Sequence, residues 1–164
     1  DEYACTVILL ARNNRGYKKL VQLSTWLNTT KERLTLEEVF DTDLIMIMPS
    51  DHGIFDRDLI NYHEKDIYDK ITYIKENVSY FYIGLVKQEF VYNAQRNEFI
   101  RDIARRCGIK TVAMEKALYD SQEKEELLRA LLALGKKTTI KDPNVSDYSN
   151  YAFHSTEELL QLFP

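Results

Sequence analysis

An α/β fold with a mostly parallel sheet and flanking helices is the fold class this sequence predicts. Three observations predict it. Short apolar runs, such as residues 7–11 and 44–48, are bounded by polar turn residues, as buried strands are. Longer stretches between them carry apolar residues at helical spacing. The two kinds of segment alternate along the chain, which is the pattern of strands joined through helices that lie outside a sheet.

The first strand is Val7, Ile8, Leu9, Leu10 and Ala11. Arg12, Asn13 and Asn14 make a turn, and either asparagine can cap the helix that follows. Tyr17, Leu20, Val21 and Leu23 fall on one face of that helix. Strand, tight turn and helix together predict half of a βαβ unit. Residues 28–33 are polar and turn-like. Leu34, Leu36, Val39 and Phe40 then recur at helical spacing, and Thr35 with Glu38 predicts a capping box on a short helix closed by 41–43.

Residues 44–48 form the second buried strand. Pro49 and Gly53 end it, since proline offers no N–H to a ladder and glycine permits positive φ. Leu59, Ile60, Tyr62, Ile67, Ile71 and Ile74 predict one long helix or two short ones across 56–77. Residues 79–86 are rich in β-formers and predict the third strand. A helix over 92–107 turns Phe99, Ile100, Ile103 and Ala104 inward, and Gly108 closes it. Residues 109–114 are the fourth strand.

Residues 121–134 predict a helix capped by Ser121. Glu123, Glu125 and Glu126 come early, and Leu127, Leu128, Leu131, Leu132 and Leu134 follow. Gly135 stops it. Residues 136–150 read as a loop and 151–153 as a short extended piece. A last helix over 155–163 opens with a second capping box, Ser155 and Glu158. Periodicity leaves open whether the sheet is flat or rolled.

The chain has 164 residues, enough for one domain, and 45% of them are hydrophobic, enough for a core. A net charge of −4 argues against a grip on nucleic acid by bulk charge, though not against a local basic patch. The 2 cysteines, Cys5 and Cys107, have no metal-finger spacing and read as buried free thiols in a reducing compartment. Asp1 and Glu2 stand where a signal peptide would be basic, and the apolar runs are too short to span a bilayer. A cytoplasmic protein with no membrane contact is the expectation.

Candidate chemistry is sparse. The 3 histidines, His52, His63 and His154, share no spacing, and metal sites need imidazoles and carboxylates that converge. Ordinary polar histidines are the plainer reading. Asp51 and His52 stand out, because they follow a strand's carboxyl end, where βα-barrel enzymes place their chemistry. A turn with a cap is the plainer reading of 49–53. Tyr62, Tyr68, Tyr73, Tyr80 and Tyr82 lie among lysines and suggest base stacking, but Glu64, Asp66, Asp69 and Glu76 cancel the charge. Arg101, Arg105, Arg106, Lys110 and Lys116 form the most basic neighbourhood, which reads as a solvated helix end.

Three stretches in order carry a resemblance. Leu-Leu-Ala-Arg-Asn-Asn-x-Gly-Tyr-x-x-Leu, over 9–20, is similar to a signature of the PHP (polymerase and histidinol phosphatase) family. The wording is that of the alpha subunit of bacterial replicative DNA polymerase III. Residues 103–119 are similar to the family's segment of helix, Gly, buried strand and Asp-x-His-Tyr. Residues 131–163 resemble its ending of apolar helix, Gly-Lys, Asp-Pro, Ser-x-Glu-Glu and Leu-Phe.

The resemblance implies part of a distorted PHP-type βα barrel, with residues 1–164 a single partial domain. It implies upstream strands and downstream polymerase domains absent from this stretch. The parent would be a DNA-directed DNA polymerase whose magnesium sits in a separate domain. The partners it implies are the rest of that chain, replisome proteins and DNA through the parent enzyme. Open strand edges would favour self-association.

It also implies a degenerate metal site. The family's ligand positions map to Thr6, to about Ser50, and to Lys116 and Leu118. None is a good ligand, and Lys116 puts a cation where an anion is needed. Asp51 and His52 are weak substitutes. No metal, cofactor or catalytic residue is therefore expected here. The rival readings are a metal-dependent phosphoesterase or proofreading exonuclease of the same superfamily, and an unrelated α/β interaction domain.

Overall fold

The computed structural model describes residues 5–51, 54–55, 64–86, 91–142, 145 and 151–163, with backbone alone over 91–94. Their strands are β1 (Ile8–Ala11), β2 (Leu44–Pro49), β3 (Phe81–Val86) and β4 (Lys110–Met114). Their helices are α1 (Asn14–Thr30), α2 (Glu64–Asn77), α3 (Val91–Arg106), α4 (Glu125–Gly135) and α5 (Thr156–Leu162). The strands form one open 4-stranded sheet in the order β1-β2-β3-β4. The chain is α/β with a mostly parallel sheet and flanking helices. It divides into two compact units, one over Asp1–Val86 and Val91–Val112, the other chiefly Ala113–Pro164.

β1 corrects the sequence reading. It pairs antiparallel to β2, with Ile8 opposite Ile47 and Ala11 opposite Leu44, so the two are not strands of a βαβ unit. The path of the chain explains this. The 17 residues of α1 travel ~25 Å from the turn, and segment 31–43 brings the chain back. The Arg12 N–H donates to the Asp43 carbonyl at 2.9 Å, so β2 starts where β1 ends. β1 is also an edge strand rather than a buried one: Leu10 and Ala11 are exposed.

Asn13, not Asn14, caps α1. Its side chain accepts from the N–H groups of Arg15 at 2.8 Å and Gly16 at 3.1 Å. The helix face expected to turn inward is mostly open. Leu23 is buried, but Tyr17 and Val21 are exposed. The predicted capping box of Thr35 and Glu38 forms, on a single 3-10 turn at Glu37–Val39.

The core of the first unit lies on one side of β2 and β3. Leu44, Met46 and Met48 alternate with the half-buried Ile45 and Ile47, and β2 pairs parallel with β3 from Met46↔Phe81 to Pro49↔Gly84. Ile83 and Leu85 of β3, Ile67, Ile71 and Ile74 of α2, and Ile100, Ile103 and Ala104 of α3 are buried too. Each such leucine, isoleucine or methionine contributes about 1.5–3 kcal/mol by leaving water. α3 closes as expected: Gly108 takes φ +62, and the Ile109 N–H donates to the Ala104 carbonyl at 2.8 Å. The predicted helix over 56–77 is seen from Glu64 onward, and its first part lies outside the described residues.

In the second unit the predicted Ser121 cap does not form. Ser121 makes no side-chain cap bond, and a 3-10 turn at Gln122–Lys124 leads into α4. Lys137 rather than Gly135 takes the left-handed backbone after α4, at φ 54. α5 has its full capping box of Ser155 and Glu158. The expected buried thiols are corrected as well: Cys5 is exposed and Cys107 half-buried, and both are free. Among the described residues no helix is long and apolar enough to cross a membrane.

Candidate functional site

Two places bring polar side chains together, one in each unit. The first is the carboxyl end of the parallel pair β2 and β3. This is where ligands bind in open α/β sheets. Ser50 follows the last residue of β2, and its N–H donates to the Gly84 carbonyl at 2.8 Å. A continuing ladder would next use the N–H and C=O of Val86. Side chains take both instead. The Ser50 hydroxyl accepts from the Val86 N–H at 3.0 Å, and the Asn97 amide on α3 donates to the Val86 carbonyl at 2.8 Å.

Ser50 and Asn97 are both fully buried, and the Asn97 Oδ1 atom has no hydrogen-bond partner. The orientation of the amide follows from its neighbour, since only the nitrogen can donate to a carbonyl. Together the two side chains end the ladder without leaving Val86 unpaired. Asp51 stands next to them, half-buried and with a polar partner of its own. The antiparallel register of β1 carries the exposed Thr6 toward this same end. The structure thus brings Thr6, Ser50 and Asp51 to one region, while His52 and His63 lie outside the described residues.

The second place follows β4. Residues 118–119 and 151–153 are tied by a parallel bridge, Tyr119↔Ala152. The Leu118 N–H donates to the Tyr151 carbonyl at 2.8 Å, and the Phe153 N–H to the Tyr119 carbonyl at 2.9 Å. That bridge sets His154 against Glu115, in direct contact through Nδ1 and Oε1. Both side chains are largely shielded, at 19% and 10% exposure. A carboxylate on Nδ1 fixes the imidazole's orientation and leaves Nε2 as an acceptor in the neutral ring. Lys116 and Leu118, the other positions the resemblance points to, are exposed on the same segment.

Sequence reasoning missed Asn97, Glu115 and the pairing of His154. For Asn97 a signal exists: it stands three residues before Ile100 and seven before Ala104, on the apolar face of its helix. For Glu115 and His154 there is none, because their meeting depends on the Tyr119↔Ala152 bridge.

Several members of the aromatic and basic clusters have partners within the protein, and Tyr62 lies outside the described residues. The Tyr73 hydroxyl donates to Glu37 at 2.9 Å, and the Arg12 guanidinium lies over the Tyr80 ring, 3.4 Å from its centroid. Arg106 pairs with Asp102 and Glu64, and Arg105 with Asp102. Among the described residues no three of His, Cys, Asp and Glu converge as metal ligands do. No protein-family model matches the chain, and no curated protein matches it.

Proposed function

We propose that this chain is a PHP-like domain, part of a distorted PHP-type βα barrel, in the alpha subunit of a bacterial DNA polymerase III. Its role there is structural: it supports the polymerase and its contacts with other replisome proteins in the cytoplasm. Nucleotidyl transfer, with magnesium, belongs to a separate domain of the parent enzyme. The reading rests on the resemblance of residues 9–20, 103–119 and 131–163 to that family.

One observation supports the structural role above the catalytic one. The hydroxyl of Ser50, at an implied ligand position, is fully buried and committed to the Val86 N–H. Thr6, Lys116 and Leu118, at the other positions, are poor or impossible ligands. The phosphoesterase reading draws on the Glu115–His154 pair, since an imidazole oriented by a carboxylate is a common metal ligand and general base.

Elemental analysis of the chain purified without chelator, with a phosphomonoesterase assay, separates the two. The expected result is substoichiometric metal and no hydrolysis. Stoichiometric zinc, manganese or iron, lost in Asp51→Asn, His52→Ala or His154→Ala, overturns the structural reading. The polymerase assignment is tested by the coding sequence on either side. A Gly-Asp-x-Asp type carboxylate motif downstream supports it, and an uninterrupted frame without one overturns it.

A further inference from the structure

The second unit buries little of its apolar surface. Among its described residues Ala133, Val145 and Ala152 are the buried apolar ones. Leu127, Leu131 and Leu134 of α4 are 59%, 58% and 73% exposed. They stand at i, i+4 and i+7, so at about 100° per residue they form one stripe along the helix. A run of exposed leucines this regular marks an interaction surface.

The charges beside the stripe indicate what covers it. Glu126 stands five positions before Leu131 and Lys137 six positions after it. By the same helical period both fall on one flank of the stripe. The Lys137 N–H still donates to the Leu134 carbonyl at 3.0 Å, so the turn continues that far. Both side chains are exposed, and neither forms an ion pair among the described residues.

We propose that α4 is a self-association surface, on which a second copy of this chain lays its own α4 antiparallel. A two-fold axis near Leu131 sets Leu131 against its own counterpart and Leu127 against Leu134. The same axis sets Glu126 of each copy beside Lys137 of the other. In a parallel pair the Glu126 and Lys137 flanks of the two copies would lie on opposite sides of the contact, and neither residue would gain a partner. The arrangement is an isologous contact, closed by its own symmetry. It also opposes the two helix dipoles favourably. This surface is separate from the strand edges at which the sequence suggests self-association, and it does not depend on the polymerase reading.

Sedimentation equilibrium of the full chain over a concentration series, at low and high salt, tests it. The expected result is a dimer that salt weakens. Leu131→Glu weakens it by at least ~100-fold, because each copy loses a buried leucine and two carboxylates face each other. The residue is exposed in the single chain, so circular dichroism of this variant should match the wild type. Glu126→Lys and Lys137→Glu each weaken the dimer by roughly 3- to 10-fold, and an equimolar mixture of the two recovers it. A chain that stays monomeric throughout overturns the proposal. So does a dimer indifferent to Leu131→Glu, which places the contact elsewhere, for instance on β1. A dimer lost in Leu131→Glu but indifferent to both charge reversals overturns the antiparallel arrangement.

Discussion

Gly16 lies directly against the carbonyl of Asp43. A Cβ built on Gly16 would stand 2.2 Å from the Asp43 oxygen and 3.1 Å from its carbonyl carbon. The glycine is needed for this approach rather than for backbone freedom, since it sits inside α1. It lets the start of α1 pack on the chain that begins β2, where Asp43 also takes a salt bridge from Arg15 at 3.0 Å and a bond from Asn13 at 2.6 Å. Gly16→Ala gains up to ~1 kcal/mol in helix propensity but forces backbone apart. A net destabilisation of about 1–3 kcal/mol in urea unfolding is expected. A variant as stable as the wild type would show that the two segments separate freely.

Val86 couples Ser50 to Asn97. Ser50→Ala leaves the Val86 N–H unpaired, and Asn97→Ala leaves its carbonyl unpaired, each at a cost of about 1–3 kcal/mol. Because both act on one residue, the costs should not add. A double-mutant cycle should give an interaction energy of about 0.5 kcal/mol or more. Strict additivity would mean that the two side chains end the ladder independently.

What could be read from the sequence was local. Residues 44–48 are a bounded apolar run and 79–86 are rich in β-formers, so both strands were legible, as was the cap at Ser155, while Asn13 was one of two cap candidates. The direction of β1 was not, because it depends on segment 31–43 returning to Asp43 rather than on anything in residues 7–11. The leucine spacing of α4 predicted a helix with a stripe, but periodicity does not say whether a stripe is covered. For the candidate sites, Asp51 was legible from its place after a strand, and Ser50 only through the family resemblance. The Glu115–His154 pair was not legible, since it depends on the bridge between two distant segments, and Asn97 was legible only as a polar residue on the apolar face of its helix.

The two thiols should react at very different rates. Cys5 is exposed, whereas burial pushes the Cys107 thiol above its ordinary pKa, against smaller opposing effects of Lys75 and Thr72. The thiolate is the reactive form, so burial slows Cys107 twice, through access and through ionisation. Titration with a thiol-specific disulfide reagent at neutral pH should give a fast and a slow phase of equal amplitude. Cys5→Ser should remove the fast one. Equal rates for the two sites would contradict the half-buried placement of Cys107.

Glu158 should make α5 sensitive to acid. The Ser155 N–H, to which it binds at 2.7 Å, holds its carboxyl below the ordinary range. The Ser155 hydroxyl and the nearby His154 lower it further. A carboxyl whose folded pKa is depressed contributes stability that is present above the unfolded value. That contribution is lost as pH falls through the depressed folded value. Helicity of α5 should therefore hold through the ordinary carboxylate range and fray only below it. Ser155→Ala removes the hydroxyl but keeps the N–H, so Glu158 should move only part of the way back up. Glu158→Gln, which has no charge to lose, should abolish the pH dependence of this helix end. Carboxyl carbon NMR of Glu158 across an acid titration reads the first effect, and amide shifts of residues 156–158 read the second. An ordinary Glu158 titration, unchanged in Ser155→Ala, would mean that the capping box does not hold in solution.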